Sequence, residues 1–142
     1  MAARILIVDD EQDILNMLSR HFSFKGYEVG TARGAIEALS LLEAQRFEVV
    51  ISDVCMPGIN GVDLLKIIRN QFPMTHVIMM TGQVSLDTAL ACMRRGADTC
   101  IFKPFSDLRE LEEAVELAIS DLKRWQDKFL ALKAMGSFEQ QA

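Results

Sequence analysis

Apolar and polar positions along the chain alternate between short β-branched runs and stripes at helical spacing. Arg4 and Ile5-Leu6-Ile7-Val8 predict a strand over 4–8. Ile14, Leu15, Leu18 and Phe22 then recur at helical intervals, and Lys25-Gly26 marks a stop. A weaker strand over 27–31, with Gly30 inside it, precedes a stripe of Ala35, Ala38, Leu39 and Leu42. The run 47–53 contains Val49, Val50 and Ile51 in succession and ends in Asp53. It reads as a strand buried on both faces, as strands of parallel sheets are. After Pro57-Gly58-Ile59-Asn60-Gly61, Leu64, Leu65 and Ile68 predict a helix that ends before Pro73. Residues 76–80 form a fourth strand, closed by Thr81-Gly82. Leu86, Ala89, Leu90 and Met93 form the next stripe, with Gly96 as its C-cap. A fifth strand over 99–102 ends in Lys103-Pro104-Phe105. The last helix is expected to start near 106–107, with Ser106 or Asp107 as N-cap and Glu110 or Glu112 in its first turn.

Strand and helix therefore alternate five times. Right-handed crossovers turn that order into a doubly wound parallel sheet with helices on both faces. All five strand C-termini then share one edge, the place where open α/β sheets bind their ligands. The edge collects Asp9, Asp10, Asp53, Thr81 and Lys103. Each acid also has a simpler use: Asp53 could cap the turn before Pro57-Gly58, and the acids at 9–11 suit a helix N-terminus.

The last stripe outruns the domain. Leu108, Leu111, Val115, Ala118, Leu122, Trp125, Phe129 and Leu132 keep an unbroken helical spacing, and Gly136 is the first stop. At 1.5 Å per residue, 107–135 is about 43 Å long, more than a small domain is wide. The expected division is a compact unit over 1–120, a helical extension over 121–136 and a flexible tail over 137–142. Leu122, Trp125, Phe129 and Leu132 resemble a coiled-coil seam, so a partner helix is expected, in the first place from a second copy. The chain reads as a stand-alone unit or as the front piece of a longer protein, the long helix favouring the second.

Composition narrows the chemistry. The 142 residues suit one domain, half of them are apolar, and the net charge of −5 disfavours direct nucleic-acid binding. Cys55, Cys92 and Cys100 lack metal-ligand spacing and read as reduced thiols of a cytoplasmic protein. Ile5 to Val8 is too short for a signal peptide, and no apolar run approaches the roughly 20 residues that span a bilayer, so no membrane role is expected. His21 and His76 read as surface or core residues rather than ligands, and Met74, Met79, Met80 and Met93 as core filler. Met56, next to the site, could also exclude water.

Three neighbouring carboxylates repel: two unit charges ~4 Å apart cost on the order of 4 kcal/mol at an effective dielectric of 20. A cation relieves that cost, and oxygen-only ligands favour a hard ion such as Mg²⁺. With the fixed charge of Lys103 and the hydroxyl of Thr81, the edge becomes a pocket for a small dianion beside a carboxylate, as phosphoryl transfer to aspartate requires.

The order Asp9-Asp10, Asp53, Met56-Pro57-Gly58, Thr81 and Lys103-Pro104-Phe105 resembles the receiver domain of bacterial two-component response regulators, over about residues 4–120. The resemblance implies a flavodoxin-like sheet of order 2-1-3-4-5. It also implies phosphorylation of Asp53 by a sensor histidine kinase or phosphotransfer protein. By the same likeness Mg²⁺ is held by Asp9, Asp10, Asp53 and the Cys55 main-chain carbonyl. Thr81 and Lys103 would contact the phosphoryl group, and the bond before Pro104 is expected to be cis. Two positions depart from the family pattern. Cys100 stands where an aromatic usually reports phosphorylation, with Phe102 as a candidate substitute and a small core residue as the simpler reading. Cys55 and Gln83, positions that tune the attacking water, offer neither acid nor base, which suggests slow autodephosphorylation.

Such a protein is a switch that catalyses only its own phosphorylation and dephosphorylation. A degenerate receiver used as a binding or dimerisation module would lack an acid or the lysine. A phosphatase with an aspartyl nucleophile, of the haloacid-dehalogenase type, would want an acid where Cys55 stands, and a cap domain. A dinucleotide-binding domain would need glycines where Asp9-Asp10-Glu11 stand.

Overall fold

The computed structural model describes residues 2–82 and 85–136. Five strands, β1 (Arg4–Val8), β2 (Glu28–Ala32), β3 (Val49–Asp53), β4 (His76–Thr81) and β5 (Thr99–Phe102), pair in parallel in the order β2-β1-β3-β4-β5. They alternate with α1 (Gln12–Phe24), α2 (Ala35–Ala44), α3 (Gly61–Gln71), α4 (Leu86–Arg94) and α5 (Arg109–Met135).

Side chains alternate along each strand, so the sheet supplies two cores. Ile5, Ile7, Val49, Ile51, Ile78 and Met80 meet Leu15, Leu18 and Phe22 of α1 and Leu111, Val115 and Ala118 of α5. Leu6, Val8, Val50, Val77 and Met79 meet Ala38 and Leu42 of α2, Leu64, Leu65 and Ile68 of α3, and Cys92 of α4. Every residue of β3 is buried, as its position between β1 and β4 requires. Glycines fix two joints: Gly26, with φ of +100°, reverses the chain after α1, and a Cβ at Gly30 would stand 3.1 Å from the Phe47 ring.

Four details correct the sequence reading. On α4 the buried residue is Cys92, while Leu86 and Met93 are exposed, so Met93 is not core filler. Strand β2 lies one residue later than expected. Helix α5 begins at Arg109 with Leu108 as N-cap; Asp107 accepts a hydrogen bond from the Arg109 N–H (2.9 Å) but does not cap the helix, and neither does Ser106. Leu122 is only 3% exposed and belongs to the compact body, not to a free seam. Trp125, Phe129 and Leu132 are 54%, 45% and 52% exposed. Residues 137–142, expected as a flexible tail, lie outside the described residues.

Candidate functional site

Strand ends and the loops that follow build the site. Asp53 is the last residue of β3, and its side chain is almost fully buried. Asp9 follows β1 and is completely buried, its position set by a backbone bond from its N–H to the Ala32 carbonyl (3.1 Å). One Asp9 oxygen accepts the Glu11 N–H (2.9 Å). The Asp10 carbonyl accepts a hydrogen bond from Arg33 (3.1 Å). Oxygens of Asp9, Asp10 and Asp53 lie within 4.8 Å of one another. Lys103, just past β5, places Nζ 2.6 Å from Asp9 Oδ2, 3.6 Å from Asp53 Oδ2 and 3.7 Å from Glu11 Oε1. Its backbone N–H donates to the Thr81 carbonyl (2.8 Å), which ties the lysine to the end of β4. Thr81 is buried, and the Lys103–Pro104 bond is cis.

The electrostatics are those of an under-neutralised cluster. Burial pushes the Asp53 carboxyl up from 3.8 to about 6. Lys103 and a hydrogen bond from the Cys55 backbone pull it down, while Asp9 and Asp10 push it further up. Burial alone would lower Lys103, but its hydrogen bond to Asp9 and the charges of Asp53, Asp9 and Glu11 outweigh that and raise it. Three carboxylates around a single ammonium, with oxygen the only donor, form a donor set that fits a hard divalent cation.

Gly61 is a site residue that periodicity does not reveal. A Cβ there would stand 2.0 Å from the Asp53 carbonyl oxygen, and its N–H donates to Val54 (2.8 Å). Only glycine lets α3 begin this close to the end of β3, with Asn60 capping it by accepting the Asp63 N–H (3.0 Å). Its place in a loop with a second glycine was the only signal. Glu11 and Arg33 were also unforeseen as neighbours of Lys103 and Asp10.

The remaining expected residues are scattered. Cys55 is exposed, Met56 is buried in the core on the α2–α4 face, and Gln83 lies outside the described residues. Cys100 is half-buried and shares a thiol–thiol hydrogen bond with Cys92; burial pushes the Cys100 thiol up to about 11 and also raises Cys92. Phe102 pairs with Thr81 in the sheet but is exposed. Neither histidine joins the cluster. His21 pairs with Glu112, and His76 stands between Asp98 (2.7 Å) and Asp121 (3.5 Å).

Residues 5–116 match the family described as response regulator receiver domain. The chain is 40% identical over 116 residues to the regulatory protein AtoC of Escherichia coli K12, a match covering 82% of this chain and 25% of that one. It thus spans about a quarter of that relative's length. A CheY-like receiver domain from Methanospirillum hungatei JF-1 superposes with a TM-score of 0.83 at 33% identity, covering 87% of this chain and 98% of the other. The beryllofluoride-activated NtrC4 receiver domain dimer gives 0.79 at 33% identity, covering 84% and 98%. Among the described residues, no helix is long and apolar enough to cross a membrane.

Proposed function

Because the chain belongs to the response regulator receiver domain family, we propose that Asp53 takes a phosphoryl group from the phosphohistidine of a sensor histidine kinase or phosphotransfer protein. The acyl phosphate then shifts the domain between two interaction states. The observation that carries this reading is the meeting of Asp9, Asp10 and Lys103 around the buried Asp53 carboxylate.

Asp9, Asp10, Asp53 and the Cys55 main-chain carbonyl would hold Mg²⁺. When bound, the ion supplies positive charge against the phosphoryl oxygens. The Asp53 carboxylate attacks phosphorus in line; the P–O bond forms as the P–N bond to the donor imidazole breaks. Lys103 leaves Asp9 for a phosphoryl oxygen, and the Thr81 hydroxyl donates to another. Dephosphorylation reverses the gain: water attacks phosphorus, the P–O bond to Asp53 breaks, and inorganic phosphate leaves. Cys55 and Gln83 provide no base for that water, so the phosphorylated form persists well beyond seconds. The chemistry is confined to the protein's own carboxylate. Phe102, in register with Thr81, is the candidate for reporting the change, and Cys100 stays a small packing residue. The active form works in the cytoplasm, with the α5 extension carrying its state to a second copy or to an output segment.

The test is incubation with Mg²⁺ and a small phosphodonor, or with beryllium fluoride, followed by mass spectrometry or fluorine NMR. Stoichiometric modification at Asp53, lost in Asp53→Ala, is expected. Unmodified wild-type protein under the same conditions would favour the binding-module reading.

A further inference from the structure

Two thiols that the phosphorylation chemistry does not use meet at the seam between α4 and β5. Helix α4 is held to the sheet by little. Cys92 is its one fully buried residue, while Leu86 and Met93 are exposed. Cys100 pairs with Met79 across β4 and β5, and it packs against the core cluster that contains Cys92. The two side chains share a thiol–thiol hydrogen bond. Access to them is unequal: Cys92 is 1% exposed, whereas Cys100 is only half-buried.

We propose that Cys92 and Cys100 form a reversible intramolecular disulfide that fixes α4 to β5, with hydrogen peroxide as the oxidant. The order of events follows from access. Cys100, as thiolate, attacks one peroxide oxygen and the O–O bond breaks. Cys100 becomes a sulfenic acid, and the departing hydroxide leaves as water with the thiol proton. The sulfur of Cys92, already in contact, then attacks the Cys100 sulfur. The S–S bond forms as the S–O bond breaks, and a second water carries away the Cys92 proton. In sum, two thiols lose two protons and two electrons, and the peroxide is reduced to two waters. A dithiol reverses the bond by exchange. Burial holds both thiols above their ordinary range, and the neighbouring Cys92 and Glu110 add to the rise at Cys100. Little thiolate is therefore present at neutral pH, so the pair stays reduced under mild conditions and closes under sustained oxidation. That threshold suits the transient, redox-sensing disulfides of reducing compartments. A covalent tie at the one buried residue of α4 suppresses local opening of that helix. The crosslink does not rest on the function proposed above, so it is tested without phosphodonor.

The full chain carrying Cys55→Ala, which removes the exposed thiol, is treated with hydrogen peroxide and alkylated. Intact-protein mass spectrometry is expected to show the loss of two hydrogens, restored by dithiothreitol. Trypsin cuts at Arg94 and Arg95, between the two cysteines, so the bond should appear as two peptides joined through Cys92 and Cys100. Adding Cys92→Ala should abolish the joined peptides and leave a sulfenic acid at Cys100 that dimedone traps. Amide hydrogen exchange along α4 is expected to slow at least ~10-fold in the oxidised protein and to return on reduction. Joined peptides absent after sustained peroxide, with the thiols still open to alkylation or oxidised separately, would overturn the disulfide. No dimedone adduct at Cys100 in the Cys92→Ala variant would overturn the order of attack. A disulfide that left exchange along α4 unchanged would overturn the fixing of the helix.

Discussion

At the C-terminal edge of the sheet three carboxylates share one ammonium, whereas at the N-terminal edge charges are mostly matched. There Arg4 meets Glu28 at 2.6 Å, and His76 bridges Asp98 and Asp121. Glu48, with a buried oxygen that lacks a partner, is the exception. The strands are the same strands, so the fold does not demand the difference. One edge spends stability on holding like charges together, and the other recovers a little by pairing opposite ones. Carboxylates at the first edge should therefore behave as functional groups that strain the metal-free protein. Those at the second should behave as ordinary ion pairs.

The sharpest test of that contrast is Asp53→Asn. The folded carboxyl titrates near 6 against 3.8 ordinarily. The folded state therefore keeps a proton that the unfolded chain loses, and stability falls as pH rises through that window. At about pH 8 without divalent cation the variant is expected to gain on the order of 3 kcal/mol, a gain that shrinks between pH 6 and 4 and is absent below it. Denaturant titrations at several pH values measure this; a pH-independent loss of stability would break the comparison. Magnesium should relieve the same strain in the wild type. At 100 times its dissociation constant it adds about 2.7 kcal/mol, and Asp10→Asn should reduce that increment sharply. At the opposite edge, Asp98→Asn is expected to cost on the order of 1 kcal/mol and to leave Asp53 phosphorylation unchanged. Arg4→Ala, in an exposed pair, should leave the unfolding midpoint where it was; a clear shift would mean the edge does more than pair charges.

Much of this architecture was legible in the chain. Ile5 to Val8 and Val49 to Ile51 announce buried parallel strands because both of their faces are apolar, and the alternation of elements brings Asp9, Asp53 and Lys103 to one edge. What stayed hidden depends on contacts between distant segments. The close approach of Gly61 to Asp53, the bonds of His76 and the position of Leu108 at the start of α5 leave no trace in periodicity. Helix α4 misled for another reason. Leu86 and Met93 look like a core stripe, yet the packed residue is the smaller Cys92, set against Cys100. Hydrophobicity alone could not say which apolar positions would find a neighbour.

The central claim is that Asp53 is a carboxylate poised by Asp9, Asp10 and Lys103 to accept phosphate. The direct measurement is intact-protein and peptide mass spectrometry after incubation with a small phosphodonor, with and without magnesium. The account predicts one phosphoryl group, located on Asp53 and dependent on the cation. No modification with magnesium present, or modification that survives in Asp53→Ala, would contradict it.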